Sequence, residues 1–155
     1  MEEKITQIHD VRSIVDKFAD REGRRPRIML ANFGFVENNH DITETATALA
    51  DMGFDVDMEP WGRNYIDVAQ DALDNDVHVI SVNSIKGEYK FLIVKLLEEL
   101  ASYDREDIMI AVSGQVVAHS VMKELYGSGA SAVLVNKGYV DFAKEILSEL
   151  EIILF

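Results

Sequence analysis

From Arg27 onward, short apolar segments alternate with longer stretches of helical periodicity. Near-continuous apolar runs such as VHVISV and IMIAV are typical of strands buried on both faces of a parallel sheet. The pattern predicts five strands at Arg27–Phe33, Phe54–Met58, Val77–Val82, Asp107–Val112 and Ala132–Val135. Strands that alternate with helices indicate a parallel sheet covered by helices on both faces.

The segments between these strands predict five helices. They are Ile42–Met52, Tyr65–Asp74, Tyr89–Ser102, Val117–Tyr126 and Val140–Leu150. At the start of the helix Ile42–Met52, Asp41 and Glu44 have the spacing of a capping box, with Asp41 as the cap. Gly53 is placed to end the same helix in a left-handed conformation. The predicted fold class is therefore α/β: a flavodoxin-like (Rossmann-like), doubly wound five-stranded parallel sheet of order 2-1-3-4-5.

The two ends of the chain carry further apolar patterns. Residues 1–25 predict an extra N-terminal amphipathic helix and a polar linker, followed by an α/β domain at residues 26–155. The apolar positions of that helix are Ile8, Val11, Ile14, Val15 and Phe18. We expect it to pack on the domain or on another subunit. The apolar end, Ile152–Phe155, is interpreted as a helix end against the core, with a partner-docking segment as the alternative.

The composition is acidic and contains no cysteine. The 155 residues carry a formal net charge of −13, which repels phosphate backbones, so we expect no nucleic-acid binding. Without cysteine there are no disulfides, thiolate zinc sites or iron–sulfur clusters. No apolar run approaches the roughly 18 residues of a membrane span, and the first residues do not resemble a secretory signal. We therefore expect a cytoplasmic protein without membrane contact.

Ligands of an open α/β sheet bind at the carboxyl ends of its strands. Four loops lie there: Gly34–His40, Asn83–Glu88, Ser113–Val117 and Asn136–Tyr139. They contain no phosphate-binding loop and no serine or cysteine nucleophile motif. A phosphoacceptor site of the receiver type is excluded, because Asn32 and Asn83 stand where that chemistry needs carboxylates, although Ser113 and Lys137 would fit it.

Four segments resemble the cobalamin-binding domain of methylmalonyl-CoA mutases. They are GRRPRIMLANFG, TATALADMGFDVDMEP, DNDVHVISVNS and REDIMIAVSG, and the likeness runs from about Arg21 to about Leu150. The resemblance implies the flavodoxin-like fold, adenosylcobalamin as cofactor, and a barrel that holds the substrate. The family's signature, Asp-x-His-x-x-Gly after the first strand, supplies the lower axial histidine of cobalt and an aspartate that orients it.

All three signature residues are replaced in this chain. Aligned without gaps, the sequence has Val36 at the aspartate position, Asn38 at the histidine position and Asp41 at the glycine position. An amide is a poor cobalt ligand beside imidazole, so the resemblance implies that cobalt ligation is lost and that there is no metal site. His40 is the alternative ligand, but reaching the signature position requires an insertion and a matching deletion.

The other cofactor-facing positions of the family also differ here. Its Ser-x-Leu after strand three becomes Asn83-Ser84-Ile85, its Gly-Gly after strand four becomes Ser113-Gly114, and its Gly-Pro-Gly after strand five becomes Val135-Asn136-Lys137. Larger side chains in a packed slot typically cost about 1–3 kcal/mol per site. These substitutions predict a slot too narrow for the cofactor's nucleotide tail. His78, between two valines, is interpreted as a hydrogen-bonded histidine near strand three.

The sequence and the resemblance together predict a cobalamin-binding-domain homologue without a cofactor. We expect a non-catalytic interaction or regulatory subunit with a protein partner, either a barrel-type acyl-CoA mutase subunit or a second copy. The alternative is a genuine adenosylcobalamin-carrying small subunit of a methylmalonyl-CoA-type mutase, with the cofactor bound base-on or through His40. A small-molecule sensor is the third possibility. The chain alone is not expected to catalyse, since no substrate barrel fits in 155 residues.

Overall fold

The computed structural model describes residues 2–33, 39–60, 62–83, 89–113, 119–134 and 138–155. Helices and strands alternate through these ranges after an initial helix. The elements are α1 (Glu2–Glu22), β1 (Arg27–Asn32), α2 (Asn39–Asp51), β2 (Asp55–Met58), α3 (Tyr65–Asn75), β3 (Val79–Asn83), α4 (Tyr89–Ser102), β4 (Met109–Val112), α5 (His119–Ser128), β5 (Ala132–Val133) and α6 (Tyr139–Leu154).

The five strands form one parallel sheet in the order β2-β1-β3-β4-β5, which confirms the predicted topology. Ile28 of β1 lies opposite Val56 of β2 and Val79 of β3. At the other end of the strands, Asn32 pairs with Asn83. The carboxyl ends of β1 and β3 therefore meet at one edge of the sheet.

Each face of the sheet is covered by its own apolar layer. In β1, Met29 points into the layer under α3, α4 and α5, whereas Ile28 points into the layer under α1, α2 and α6. Ile80 and Val79 divide in the same way in β3. All of these side chains are buried, as the near-continuous apolar runs predict.

The N-terminal helix packs on this domain. Its residues Val11, Val15 and Phe18 are buried in the layer shared with α2 and α6. Near its end, Arg21 forms an ion pair with Glu151 of α6, with 2.8 Å between Nη1 and Oε2. Contact with the same chain thus explains most of the apolar positions of this helix, although Ile14 is 37% exposed. None of the described helices is long and apolar enough to cross a membrane.

The apolar end of the chain is only partly packed. Helix α6 continues to Leu154, and the Phe155 ring meets Phe18 edge-on with 6.2 Å between ring centroids. The guanidinium of Arg21 lies 3.7 Å from the centre of the Phe155 ring. Ile152, however, is 73% exposed. Ile153 and Phe155 are also 41% and 49% exposed, whereas Leu154 packs against the buried layer. The interpretation of a helix end against the core therefore holds only in part.

Several element boundaries differ from the prediction for identifiable reasons. The backbone N–H groups of Phe54 and Val77 donate to carbonyls near the ends of α2 and α3, and that of Ile108 donates to the turn at Arg105, so each strand begins later than expected. The capping role predicted for Asp41 is wrong, because α2 already includes Asn39 and Asp41 is inside the helix. The predicted left-handed end at Gly53 is confirmed by its φ of +99°.

Candidate functional site

The carboxyl edge of the sheet brings two predicted site residues together. Asn83 ends β3, and Ser113 follows β4, where its backbone N–H donates to the Val82 carbonyl at 2.9 Å. Both side chains are buried, with 4% of Asn83 and 7% of Ser113 exposed. The strand ends are therefore lined with buried polar groups at the place where ligands of this fold class bind.

These polar side chains share one face of the sheet. Side chains alternate along a strand, and Val79 faces the layer under α1, α2 and α6. Ser81 and Asn83 therefore face the same layer, and so does Ser113, which lies two positions beyond Ala111. On the opposite face of the described strands, the neighbouring residues Ala31, Val82 and Val112 are apolar. Ser81, Asn83 and Ser113 therefore lie on the side of the sheet that α2 and α6 cover.

Two hydroxyls in this region lack hydrogen-bond partners within the described residues. They are Ser81 Oγ and Ser113 Oγ, and both atoms are buried. Helix α2 adds the buried Thr45, whose hydroxyl lies 3.5 Å from the Tyr139 hydroxyl of α6. Buried hydroxyls normally find partners. The region therefore holds buried hydroxyls with unused hydrogen-bonding capacity.

The remaining predicted site residues divide into two sets. His40 and Asp41 are the second and third residues of α2. His40, which was predicted to lie in the loop after the first strand, is therefore in the first turn of a helix. Seven others lie outside the described residues: Val36, Asn38, Ser84, Ile85, Gly114, Asn136 and Lys137. Among the residues that the structure describes, no group of three His, Asp or Glu side chains could hold a metal ion.

An open groove of about 1110 Å³ runs between α1, α2 and α6. Four carboxylates line it: Glu3, Glu44, Asp51 and Asp141. Its apolar lining comes from Ile8, Ala48, Met52 and Val140. Three elements far apart in sequence form this groove, so periodicity within any one of them could not reveal it. Its charge is unsuited to phosphate groups.

A second polar cluster lies between the end of β2 and α3. The Arg63 Nη2 atom is 2.8 Å from Asp71 Oδ2, and its Nε atom is 3.9 Å from Glu59 Oε2. The Glu59 side chain is only 9% exposed. Burial first, and then a hydrogen bond with the Asp71 carboxyl, raise the pKa of Glu59 to about 7. Sequence reasoning missed this cluster, because isolated acidic residues in a connection suggest a solvated surface.

His78 lies at the opposite, amino-terminal edge of the sheet. Its Nδ1 atom accepts the Arg27 backbone N–H at 2.9 Å, and its ring meets Phe18 edge-on with 5.4 Å between centroids. The Nε2 atom is 3.5 Å from Glu22 Oε1. Burial, followed by the positive charge of Arg24, lowers the pKa of His78. The expected hydrogen bond of this histidine is present, and its position is remote from the candidate site.

Relatives of known name match most of the chain. It is 42% identical over 132 residues to the probable methylmalonyl-CoA mutase large subunit of Mycobacterium tuberculosis, an alignment that covers 84% of this chain and 17% of that protein. The methylmalonyl-CoA mutase large subunit of Propionibacterium freudenreichii subsp. shermanii is 34% identical over 152 residues, covering 94% and 20%. The chain thus spans about a fifth or less of these relatives. No family model matches it.

Solved structures of other proteins share the architecture. A cobalamin-binding protein from Desulfitobacterium hafniense DCB-2 superposes with a TM-score of 0.63 at 11% identity, covering 97% of this chain and 70% of that one. A CheY-like protein from Pseudomonas aeruginosa PAO1 gives a TM-score of 0.58 at 10% identity, covering 80% and 92%. At such identities these similarities establish the fold alone.

Proposed function

Because the chain belongs to the cobalamin-binding domain family of methylmalonyl-CoA mutases, we propose that it is a non-catalytic subunit of an acyl-CoA mutase. It corresponds to less than a quarter of its curated relatives, so a separate region or chain has to supply substrate binding. Its role is to interact with that larger part through a preserved cobalamin-domain fold. A barrel-type mutase subunit is the partner proposed here, and self-association is the alternative.

The observation that carries this proposal is the sequence of the loop after β1. Val36, Asn38 and Asp41 occupy the three positions at which the family has aspartate, histidine and glycine. His40 belongs to the start of α2 and lies two residues beyond the histidine position. The hydroxyls of Ser81 and Ser113 could donate to a ligand, but the histidine position of the signature holds no imidazole for cobalt. The proposed subunit therefore does not ligate cobalt through that loop.

The second candidate is an adenosylcobalamin-carrying subunit, and one structural observation favours it. Within the described part of the chain, the buried hydroxyls of Ser81 and Ser113 have no partners, and on the face under α2 and α6 they could bind a ligand's polar tail. The corrinoid, when bound, would supply the radical chemistry of the mutase reaction. In this case the cofactor binds base-on or through His40. That the chain binds no cofactor stays a prediction.

Hydroxocobalamin binding separates the two candidates. The purified chain is mixed with hydroxocobalamin, desalted, and examined by visible spectroscopy beside His40→Ala and the matched control His9→Ala, an exposed histidine of α1. We expect no retained corrinoid and identical spectra for all three proteins. Retained corrinoid in the wild type would establish the carrier and overturn the first candidate. A spectrum that changes in His40→Ala but not in His9→Ala would assign the axial ligand to His40, whereas an unchanged spectrum would indicate base-on binding.

Partner binding is tested separately. The chain is co-expressed with the barrel-type mutase subunit of its own organism, and the mixture is analysed by size-exclusion chromatography with light scattering. We expect a complex that forms without added corrinoid. A chain that elutes only as a monomer, with and without hydroxocobalamin, would contradict the proposed subunit role.

A further inference from the structure

The Glu59–Arg63–Asp71 cluster joins the end of β2 to the middle of α3. Glu59 directly follows β2 and β1 holds its backbone, because the Glu59 N–H donates to the Leu30 carbonyl at 3.0 Å. Asp71 lies on α3, and Arg63 lies in the connection between the two elements. The cluster is thus placed at the carboxyl edge of the sheet, beside the strand that precedes the signature loop.

The three side chains are not balanced in charge. One guanidinium serves two carboxyls, and its short contact goes to Asp71 at 2.8 Å rather than to Glu59 at 3.9 Å. Glu59 Oε2 and Arg63 Nε are both buried and have no hydrogen-bond partner in the described chain. A buried, ionised Glu59 would therefore lack the contacts that a buried charge needs.

Other charged groups nearby do not relieve this imbalance. Asp57 of β2 faces the cluster and adds negative charge. Arg27 of β1 is engaged by Asp57 in a bidentate pair, with contacts of 2.7 and 3.0 Å. Arg63 is the cation that contacts Glu59, and its shorter contact goes to Asp71. A proton shared between Glu59 and Asp71 would remove one of the two negative charges.

We propose that Glu59 and Asp71 share one proton beside Arg63 and form a latch between the end of β2 and α3. With the proton present, the Glu59 carboxyl donates to Asp71, and Arg63 neutralises the remaining charge. When the proton leaves, two carboxylates face one guanidinium, and the buried Glu59 side chain moves toward water. The latch is separate from the proposed mutase role and holds whether or not the chain binds a corrinoid.

The side-chain carboxyl carbon of Glu59 reports the proton directly. It is followed by carbon-detected NMR from about pH 4 to about pH 9, with the resonance assigned by its loss in Glu59→Gln. We expect a titration midpoint near 7. The intrinsic fluorescence of the single tryptophan, Trp61, is recorded over the same range, because it lies two residues from both Glu59 and Arg63.

Two variants decide the outcome. Asp71→Asn removes the second carboxyl group that shares the proton. We therefore expect the titration midpoint of Glu59 to fall by about one pH unit or more. The matched control is Glu98→Gln, an exposed carboxyl paired with Lys95 on α4, which should leave the midpoint unchanged. A Glu59 carboxyl that titrates near 4.5 in the wild type, or at an unchanged midpoint in folded Asp71→Asn, would overturn the latch.

Discussion

The Glu145 carboxylate of α6 accepts the backbone N–H of Val133, with 2.9 Å between Oε1 and N. The same oxygen accepts the Tyr126 hydroxyl at 2.7 Å. Burial, and then this hydrogen bond to Glu145, raise the pKa of Tyr126 above its ordinary value. One carboxylate thus ties the edge strand β5 to both α5 and α6 and satisfies an N–H on the outer side of the sheet.

Glu145→Ala should destabilise the fold by about 1–3 kcal/mol, because it leaves a part-buried N–H and a tyrosine hydroxyl without their acceptor. Glu145→Gln keeps an acceptor oxygen in nearly the same place and should cost less. The free energy of unfolding is measured by urea titration of all three proteins. Equal stability of the alanine variant and the wild type would contradict this role for Glu145.

Gly53→Ala should also destabilise the fold. Gly53 has a φ of +99°, and an added Cβ would lie 2.8 Å from Arg25 Nη1 and 2.9 Å from Val15 Cγ1. We expect a loss of more than about 1 kcal/mol. The matched control is Gly127→Ala in α5, where a Cβ meets nothing within 4 Å and the helical backbone should gain about 0.5–1 kcal/mol. Thermal unfolding of both variants measures this difference: the melting temperature should fall in Gly53→Ala and rise in Gly127→Ala.

His78 should make the fold sensitive to acid. Its pKa is lowered in the folded state, so below the ordinary value of 6.5 the unfolded chain binds more protons than the folded chain. The stability it contributes is complete above about pH 6.5 and decreases as the pH falls through the window below it. In His78→Asn the amide oxygen can still accept the Arg27 N–H, but this position no longer titrates.

Urea titrations at about pH 7.5 and about pH 5.5 compare the two proteins on either side of that window. The wild type should lose more stability than His78→Asn between the two pH values. His9→Gln, at an exposed position, is the control and should behave like the wild type. Parallel losses in the wild type and His78→Asn would show that His78 is not responsible.

Ser81→Ala should leave the free chain as stable as the wild type or more stable by up to about 1 kcal/mol, because it removes a buried hydroxyl without a partner. Placing a hydroxyl in an apolar layer should instead lower the stability. We therefore expect Val82→Thr, on the other face of β3, to be destabilising. Differential scanning calorimetry measures both. A clear loss of stability in Ser81→Ala would mean that this hydroxyl has a partner.

Most of the fold could be predicted because it follows from local patterns. Strands such as Val79–Asn83 are buried on both faces, and their apolar runs mark them in the sequence. Strand order followed from the alternation of strands and helices. The predicted start of α2 at Ile42 was wrong, since the helix begins at Asn39. The Asp41–Glu44 spacing that suits a cap also occurs inside a helix.

The candidate site was only partly predictable. The placement of Asn83 and Ser113 at the carboxyl edge could be predicted, since the ends of parallel strands meet there, and their role in a site stays a prediction. Ser81 was missed, because a lone serine within an apolar run does not reveal on which face it lies or whether its hydroxyl finds a partner. Glu59 was missed for a similar reason, because only the approach of α3 removes its carboxyl from water.

The parallel course of α1 and α6 has a consequence for how the chain can be joined to other proteins. Glu3 and Asp141, near the starts of α1 and α6, line the same groove, whereas Arg21 reaches Glu151 near the ends of both helices. A segment fused ahead of α1 would therefore emerge at the end of the molecule where Asn83 and Ser113 lie. A segment fused after Phe155 would leave from the far end, so purification tags belong on that terminus.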